Sequence, residues 1–404
     1  PNRGQTGAVR GRQRMTPRNK RILTVLLLSL LLCTGGCWNY RELDQLGIVS
    51  GVGFDLAPEP GKILLTIQVI KPGEAKAGGG GGSSGGEESG SQTRSVVVVE
   101  STGATVFDAV REAVTKFSRK LFWPHNQVLI IGKEAAEQGV RRFMDFEIRD
   151  AEPRPTAWVM VTPGKAGDLL KAPGKMEKIP AMEIAEMLRA QSVTSKAGSF
   201  MVHDFVLRLL SKTAAPVATQ IRLNEKNEVQ LGGTAVFIGE KLTGFIGKRE
   251  TRGLLWVLGK VKSGIVTVKD PDNKGKVSLE VIRSSSKIKT EVKGDSVRIK
   301  VTVSVRSNVG NQNGELDLSK LETLKSLARR EETAIRNEIK AALDKARELK
   351  ADIFGFGEAV RRDHPKAWKR LEPRWDEIFT ELQVDLTVKA NINQVGLIIK
   401  PIKP

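Results

Sequence analysis

The sequence predicts an α+β protein, a multi-domain mixed α/β body whose C-terminal domain carries a mainly antiparallel sheet packed by helices. Three observations lead there. Apolar and polar residues alternate with period two over 62–70 and again through most of 264–309, the pattern of strands with one buried face. Short apolar runs and amphipathic helical runs take turns between 105 and 162, which is a mixed α/β order. A long helical stripe over 319–351 follows the strand cluster, so strands and helices segregate in the C-terminal part.

In chain order, the first segment is a basic leader and lipoprotein signal over 1–36. The chain opens on Pro1, and Met15 is the expected translational start. Arg18, Lys20 and Arg21 precede the apolar run "ILTVLLLSLLLC" at 22–33. A bilayer-spanning helix needs about 20 apolar residues, so a shorter run behind a basic segment reads as a secretory signal. Thr34, Gly35 and Gly36 then lead into Cys37, small residues of the kind a lipoprotein signal peptidase accepts. Thr34 stands where the usual lipobox has leucine. Cys33 leaves with the signal in this reading, and Cys37 carries the diacylglycerol. The mature chain then has one cysteine and no internal disulfide. A metal site built on Cys33 and Cys37 would need a second pair of Cys or His nearby, and the sequence has none.

The N-terminal mixed α/β domain is expected over 37–162. Ile63, Leu65, Ile67 and Val69 alternate with Lys62, Leu64, Thr66 and Gln68, which predicts a strand with one buried face. The Gly/Ser-rich stretch 73–92 reads as a surface loop inside a hairpin, with 94–102 as the returning strand. Thr105 can cap a helix whose apolar face is Val106, Ala109, Val110, Ala113, Val114, Phe117 and Leu121. "NQVLIIGKE" is a short buried strand, "EAAEQGVRRFMDF" one helix, and 156–162 another strand.

A helical segment or second lobe is expected over 163–225, with helices at "IPAMEIAEMLRAQ" and "FMVHDFVLRLLSK". The C-terminal α+β domain, 226–404, opens with a hairpin turning at 239–241 and a helix near 250–260. Strands at "GIVTVK", "KVSLEVIRSSSKIKTEV" and "SVRIKVTVSVRSNV" come next. The long helix places Leu321, Leu324, Ala328, Ile335, Ile339, Ala342, Ala346 and Leu349 on one side, with Glu332 and Arg336 as an i,i+4 pair. A last strand near 381–399 closes the sheet. Asp352, Gly355 and Gly357 read as a helix-linking turn, and Trp368 and Trp375 as core, with a break at Pro373.

Charge narrows the function classes. Lys and Arg number 65 against 46 Asp and Glu, a net charge of +19. Part of the surplus sits in the leader, and the rest is spread out, which suits an anionic neighbour such as a membrane surface better than a nucleic-acid groove. Basic residues do not interleave with aromatics in the way that base stacking requires. His125, His203 and His364 stand apart without a carboxylate or thiol at motif spacing, and no metalloprotease or nucleophile-elbow motif is present. No catalytic residue, metal ligand or cofactor is predicted. A binding or assembly protein is the better reading.

Four stretches then resemble the GerAC-type lipoproteins, the C subunits of bacterial spore germinant receptors. "GCWNYRELDQLGIVSGVGFD" is similar to the family's post-lipobox signature, a lipid-bearing Cys, a Trp, Arg-Glu-Leu and an I-V-x-G-x-G-x-D strand. "FWPHNQVLIIGKEAAEQGV", "GFIGKRETRGLLWVLGKVKSGIVTV" and "ADIFGFGEAVRRDHPKAWKRLEPRWDEIF" follow in the family's order. The resemblance implies a three-domain mixed α/β body without enzymatic activity. It also implies a diacylglycerol anchor on Cys37, the outer face of the spore inner membrane, and assembly with germinant-receptor A and B type membrane subunits. No nucleic acid is implied, and contact with the small-molecule germinant, direct or indirect, stays open. Trp38, Arg41 and Glu42 are candidate contacts to lipid headgroups or a partner subunit, or packing residues beside the tether; both readings stay open. A solute-binding lipoprotein that feeds a transporter is the alternative of a different class.

Overall fold

The structure is a computed structural model and describes residues 16–19, 21, 24, 45–71, 95–272, 274–314 and 316–394. Two units divide the chain, Pro1–Leu46 and Gly47–Pro404. In the first, residues 17–19 are helical and exposed. Cys37, Trp38, Arg41, Glu42, most of the leader and the Gly/Ser stretch lie outside the described residues.

Two sheets build the second unit. Strand β1 (Leu46–Leu56) pairs antiparallel with β2 (Ile63–Ile70), and β2 with β3 (Val96–Gly103). Short β4 (Lys120–Phe122) also pairs with β1. Parallel to β1 runs β5 (Val128–Gly132), followed in parallel by β6 (Trp158–Thr162) and β7 (Val217–Leu223). The antiparallel hairpin β8 (Val229–Ile238) and β9 (Lys241–Ile246) completes a nine-stranded sheet. The second sheet is four-stranded: β10 (Gly264–Lys269), β11 (Lys276–Lys293) and β12 (Ser296–Gln312) are antiparallel, and β13 (Gln383–Gln394) runs parallel to β12.

Thr105 does cap α1 (Val106–Thr115), accepting from the Asp108 N–H at 3.1 Å while the Asp108 carboxylate accepts from the Ala104 N–H at 2.9 Å. The helix stops at Thr115, short of the predicted Leu121. Leu121 is needed instead in β4, where it is buried, and Val114 remains exposed. The predicted single helix after β5 is two, α2 (Lys133–Gln138) and α3 (Arg141–Arg149). Gly139 adopts φ 131° between them, and the Val140 N–H donates to Glu240 O of the β8–β9 turn at 2.9 Å rather than back into a helix.

Helices α4 (Ala166–Lys171), α5 (Pro180–Thr194) and α6 (Val202–Leu210) precede β7. They are the helical segment expected over 163–225, and they lie on the first sheet. Leu169, Leu170, Ile184 and Leu188 pack on Val128, Ile130 and Met160 of the first sheet, and Phe205 of α6 packs on the opposite face with Phe237. β2 is consequently buried on both faces, contrary to the one-faced expectation, and Thr66 and Gln68 point inward. β7 and β8 pair across residue 225, so the first sheet continues over the expected boundary.

Helix α7 (Lys248–Val257) and the long α8 (Leu321–Glu348) cover the inner face of the second sheet. They cross closely: a Cβ on Gly253 would lie 2.1 Å from the Glu338 carbonyl oxygen. Leu327, Ile335, Ile339, Ala342 and Ala346 form the buried stripe, whereas the predicted Leu321 is exposed. Glu332 does not serve Arg336; its Oε1 accepts from the Ala390 N–H of β13 at 3.0 Å. Val217, Val236 and Ile246 of the first sheet join the same core, so one apolar interior runs beneath both sheets.

Candidate functional site

The strand half of the signature, "LGIVSGVGFD", is β1, and its small residues have a steric reason. A Cβ on Gly51 would come within 2.8 Å of both Ala181 and Leu170, and one on Gly53 within 3.1 Å of Ala166. Glycine lets α4 and α5 lie directly on the strand. Asp55 ends the strand, nearly fully buried. Its Oδ1 accepts from the Ala166 N–H at 2.9 Å and its Oδ2 from the Gly167 N–H at 3.0 Å, so it caps α4. Burial pushes this carboxyl above the ordinary range, and those two backbone donors pull it partly back. Beside it, the Ser50 hydroxyl donates to Gln68 Oε1 at 3.0 Å, Gln68 Nε2 donates to Leu170 O at 2.7 Å, and the Ala181 N–H donates to Gln68 Oε1 at 3.0 Å. One buried amide thus satisfies the end of α4 and the start of α5.

A second buried knot gathers around the turn of Asp352, Gly355 and Gly357. Asp352 follows α8, and Gly355, at φ 74°, turns the chain into α9 (Phe356–Asp363). The carboxylate accepts from Gly355 N–H (2.8 Å), Phe356 N–H (3.0 Å), Gly357 N–H (2.8 Å) and Trp375 Nε1 (3.2 Å). Trp375 begins α11 (Trp375–Glu381) and rests against Trp368 of α10 (Pro365–Leu371), ring centroids 5.2 Å apart. The 3-10 turn Glu372–Arg374, which holds Pro373, separates those two helices. From α6, Arg208 Nη1 donates to Ala215 O at 2.9 Å and Ile353 O at 2.8 Å, and the Ala215 N–H donates to Asp352 O at 3.0 Å. Burial pushes Asp352 up and Arg208 down, while their mutual attraction opposes both. This knot ties the end of the first sheet's helical cover to the C-terminal helices.

Two further carboxyls are buried without full partners. Glu147 on α3 has no hydrogen bond to either oxygen and is pushed up to about 8 by burial, with Asp150 adding to the shift. Glu331, on the buried stripe of α8, is pushed up to about 7 by burial although the Ser307 hydroxyl donates to it at 2.6 Å. Among the described residues no three His, Cys, Asp or Glu side chains gather as a metal site. His203 is exposed beside Asp204, and His364 sets its ring on Thr290 O at 3.2 Å.

A depression of about 450 Å³ lies between α1, β4 and α3, and its lining includes Phe107, Phe117, Trp123 and Phe146. Arg111 sits over the Phe107 ring at 4.8 Å. It can shelter an apolar group, with Ser118, Lys120, Asp150 and Glu152 also in its lining. Sequence reasoning missed it because Phe107 falls on the polar side of the predicted helix, where a large exposed aromatic was the available signal.

Against that geometry, residues 39–223 match the family model described as spore germination protein N-terminal domain, and 232–396 match spore germination B3/GerAC like, C-terminal. The chain belongs to the GerAC-type spore germination family. Spore germination protein KC of Bacillus subtilis (strain 168) is 27% identical over 95% of this chain and 98% of its own length. Spore germination protein B3 of the same organism is 24% identical over 93% and 98%. The crystal structure of the GerBC protein superposes with a TM-score of 0.53 at 20% identity, covering 87% of this chain and 99% of that one, a likeness of fold. Asp55 lies in the part matched by the N-terminal model and Asp352 in the part matched by the C-terminal one. No described helix is long and apolar enough to cross a membrane.

Proposed function

We propose that this chain is the C-type subunit of a spore germinant receptor, tethered by a diacylglycerol on Cys37 to the outer face of the spore inner membrane. It works by assembly and signal coupling with A and B type membrane subunits, not by catalysis. The observation that carries this reading is the match of both family models in order across 39–396. The double-sheet body supports it, because buried knots that tie helices to sheets suit a part that transmits a contact.

The tether is the testable step. Each buried methylene of an acyl chain contributes about 0.8 kcal/mol, so a diacyl anchor holds where a single chain is marginal. Cys37→Ala should abolish lipid labelling and weaken nutrient-triggered germination. A normal germination response in spores with normal receptor levels would count against a required tether.

A further inference from the structure

We infer that the outer face of the second sheet is a contact surface for anionic phospholipid headgroups, distinct from the tether. The inner face of β11, β12 and β13 is covered by helices; no described element covers the outer one. Cross-strand register sets Arg283 opposite Arg306 and Lys289 opposite Lys300. Like charges directly opposed on a sheet destabilise it, so folding gives no reason for them.

Charge balance on this face is uneven. Lys300 pairs with Glu291 at 2.5 Å and Arg298 with Asp385 at 3.6 Å. Arg283, Lys287, Lys289, Arg306 and Lys389 are exposed, and no ion pair to a described carboxylate accompanies them. Ser285 lies opposite Ser304, and Ser304 opposite Lys389 in β13. Arg283, Arg306, Lys389 and the two serines surround a shallow depression of about 410 Å³. Guanidinium forks, an ammonium and hydroxyls are the donors that phosphate oxygens require, and a broad exposed sheet presents them to a surface rather than enclosing a solute. The chain's positive net charge, +19, fits the same partner.

This inference rests on the reading that the chain works at a membrane, yet its test is independent of Cys37. The full chain is titrated with limiting vesicles of phosphatidylcholine alone and of phosphatidylcholine with phosphatidylglycerol. Partitioning should rise about tenfold or more with the anionic lipid at low salt and lose that rise at high salt. The triple variant R283E/R306E/K389E should lose the rise while keeping its melting temperature and its partitioning into neutral vesicles. Reversing three exposed cations elsewhere, Lys133, Lys241 and Lys340, should leave most of it, which separates this face from net charge. Equal partitioning into both vesicles, a rise kept by the triple variant, or a rise lost equally in the control overturns the inference. So does competition by millimolar inorganic phosphate, which would make this a site for free phosphate. Failure of acylation at Cys37 would sink the tether and leave the vesicle result standing.

Discussion

Asp352→Ala should lower the unfolding free energy by about 3–5 kcal/mol, the cost of removing one partner from a buried charged network. Three backbone N–H groups and the Trp375 indole N–H would lose their acceptor at once, and Arg208 would lose the attraction of an opposite charge. Alanine leaves a void where water has little access, so the donors remain unsatisfied. Asp352→Asn keeps the volume and one acceptor oxygen, and should fall between the parent and the alanine variant. Chemical denaturation followed by circular dichroism reads both. An alanine variant within about 1 kcal/mol of the parent would show that the knot is not what joins α6 to the C-terminal helices.

Glu147→Gln should stabilise the protein at neutral pH. The folded carboxyl titrates near 8 against an ordinary 4.5, so the folded state holds a proton that the unfolded state releases. Its folded-state pKa is raised, so the contribution is whole below 4.5 and is lost as pH rises toward about 8. By neutral pH the loss is on the order of 3 kcal/mol, at about 1.4 kcal/mol per unit. Glutamine mimics the protonated acid and removes the titration. The variant should therefore match the parent in mild acid, exceed it at neutral pH, and show a flatter stability profile. Glu331, raised to about 7 for the same reason, leaves a smaller slope of the same sign. Parallel profiles for parent and variant would contradict the burial of Glu147.

Elements whose signal is local were readable in the sequence. The alternation of β10, β11 and β12, the turn at Gly239 and the Thr105 cap follow from side chains within a few residues of one another. Features set by distant neighbours were not. Gln68 and Thr66 read as the wet side of β2 until α4 and α5 cover them. The short α4 has a weak pattern of its own and exists because Asp55, over a hundred residues earlier, caps it. Glu331 breaks the apolar stripe of α8 because Ser307 of β12 meets it there. The turn of Asp352, Gly355 and Gly357 was legible from glycine chemistry, but the convergence of Trp375 and Arg208 on it required the fold. The basic face of the second sheet was hidden for the same reason: Arg283 and Arg306 become neighbours only through strand register.

The central claim is that the chain acts as a tethered subunit of a membrane assembly. Co-purification of the chain from spore membranes, followed by mass spectrometry of the intact partners and of the peptide beginning at Cys37, tests it most directly. Two membrane subunits of germinant-receptor A and B type should be recovered with the chain, and Cys37 should be diacylated. Recovery of the chain alone, with an unmodified Cys37 thiol, would contradict it.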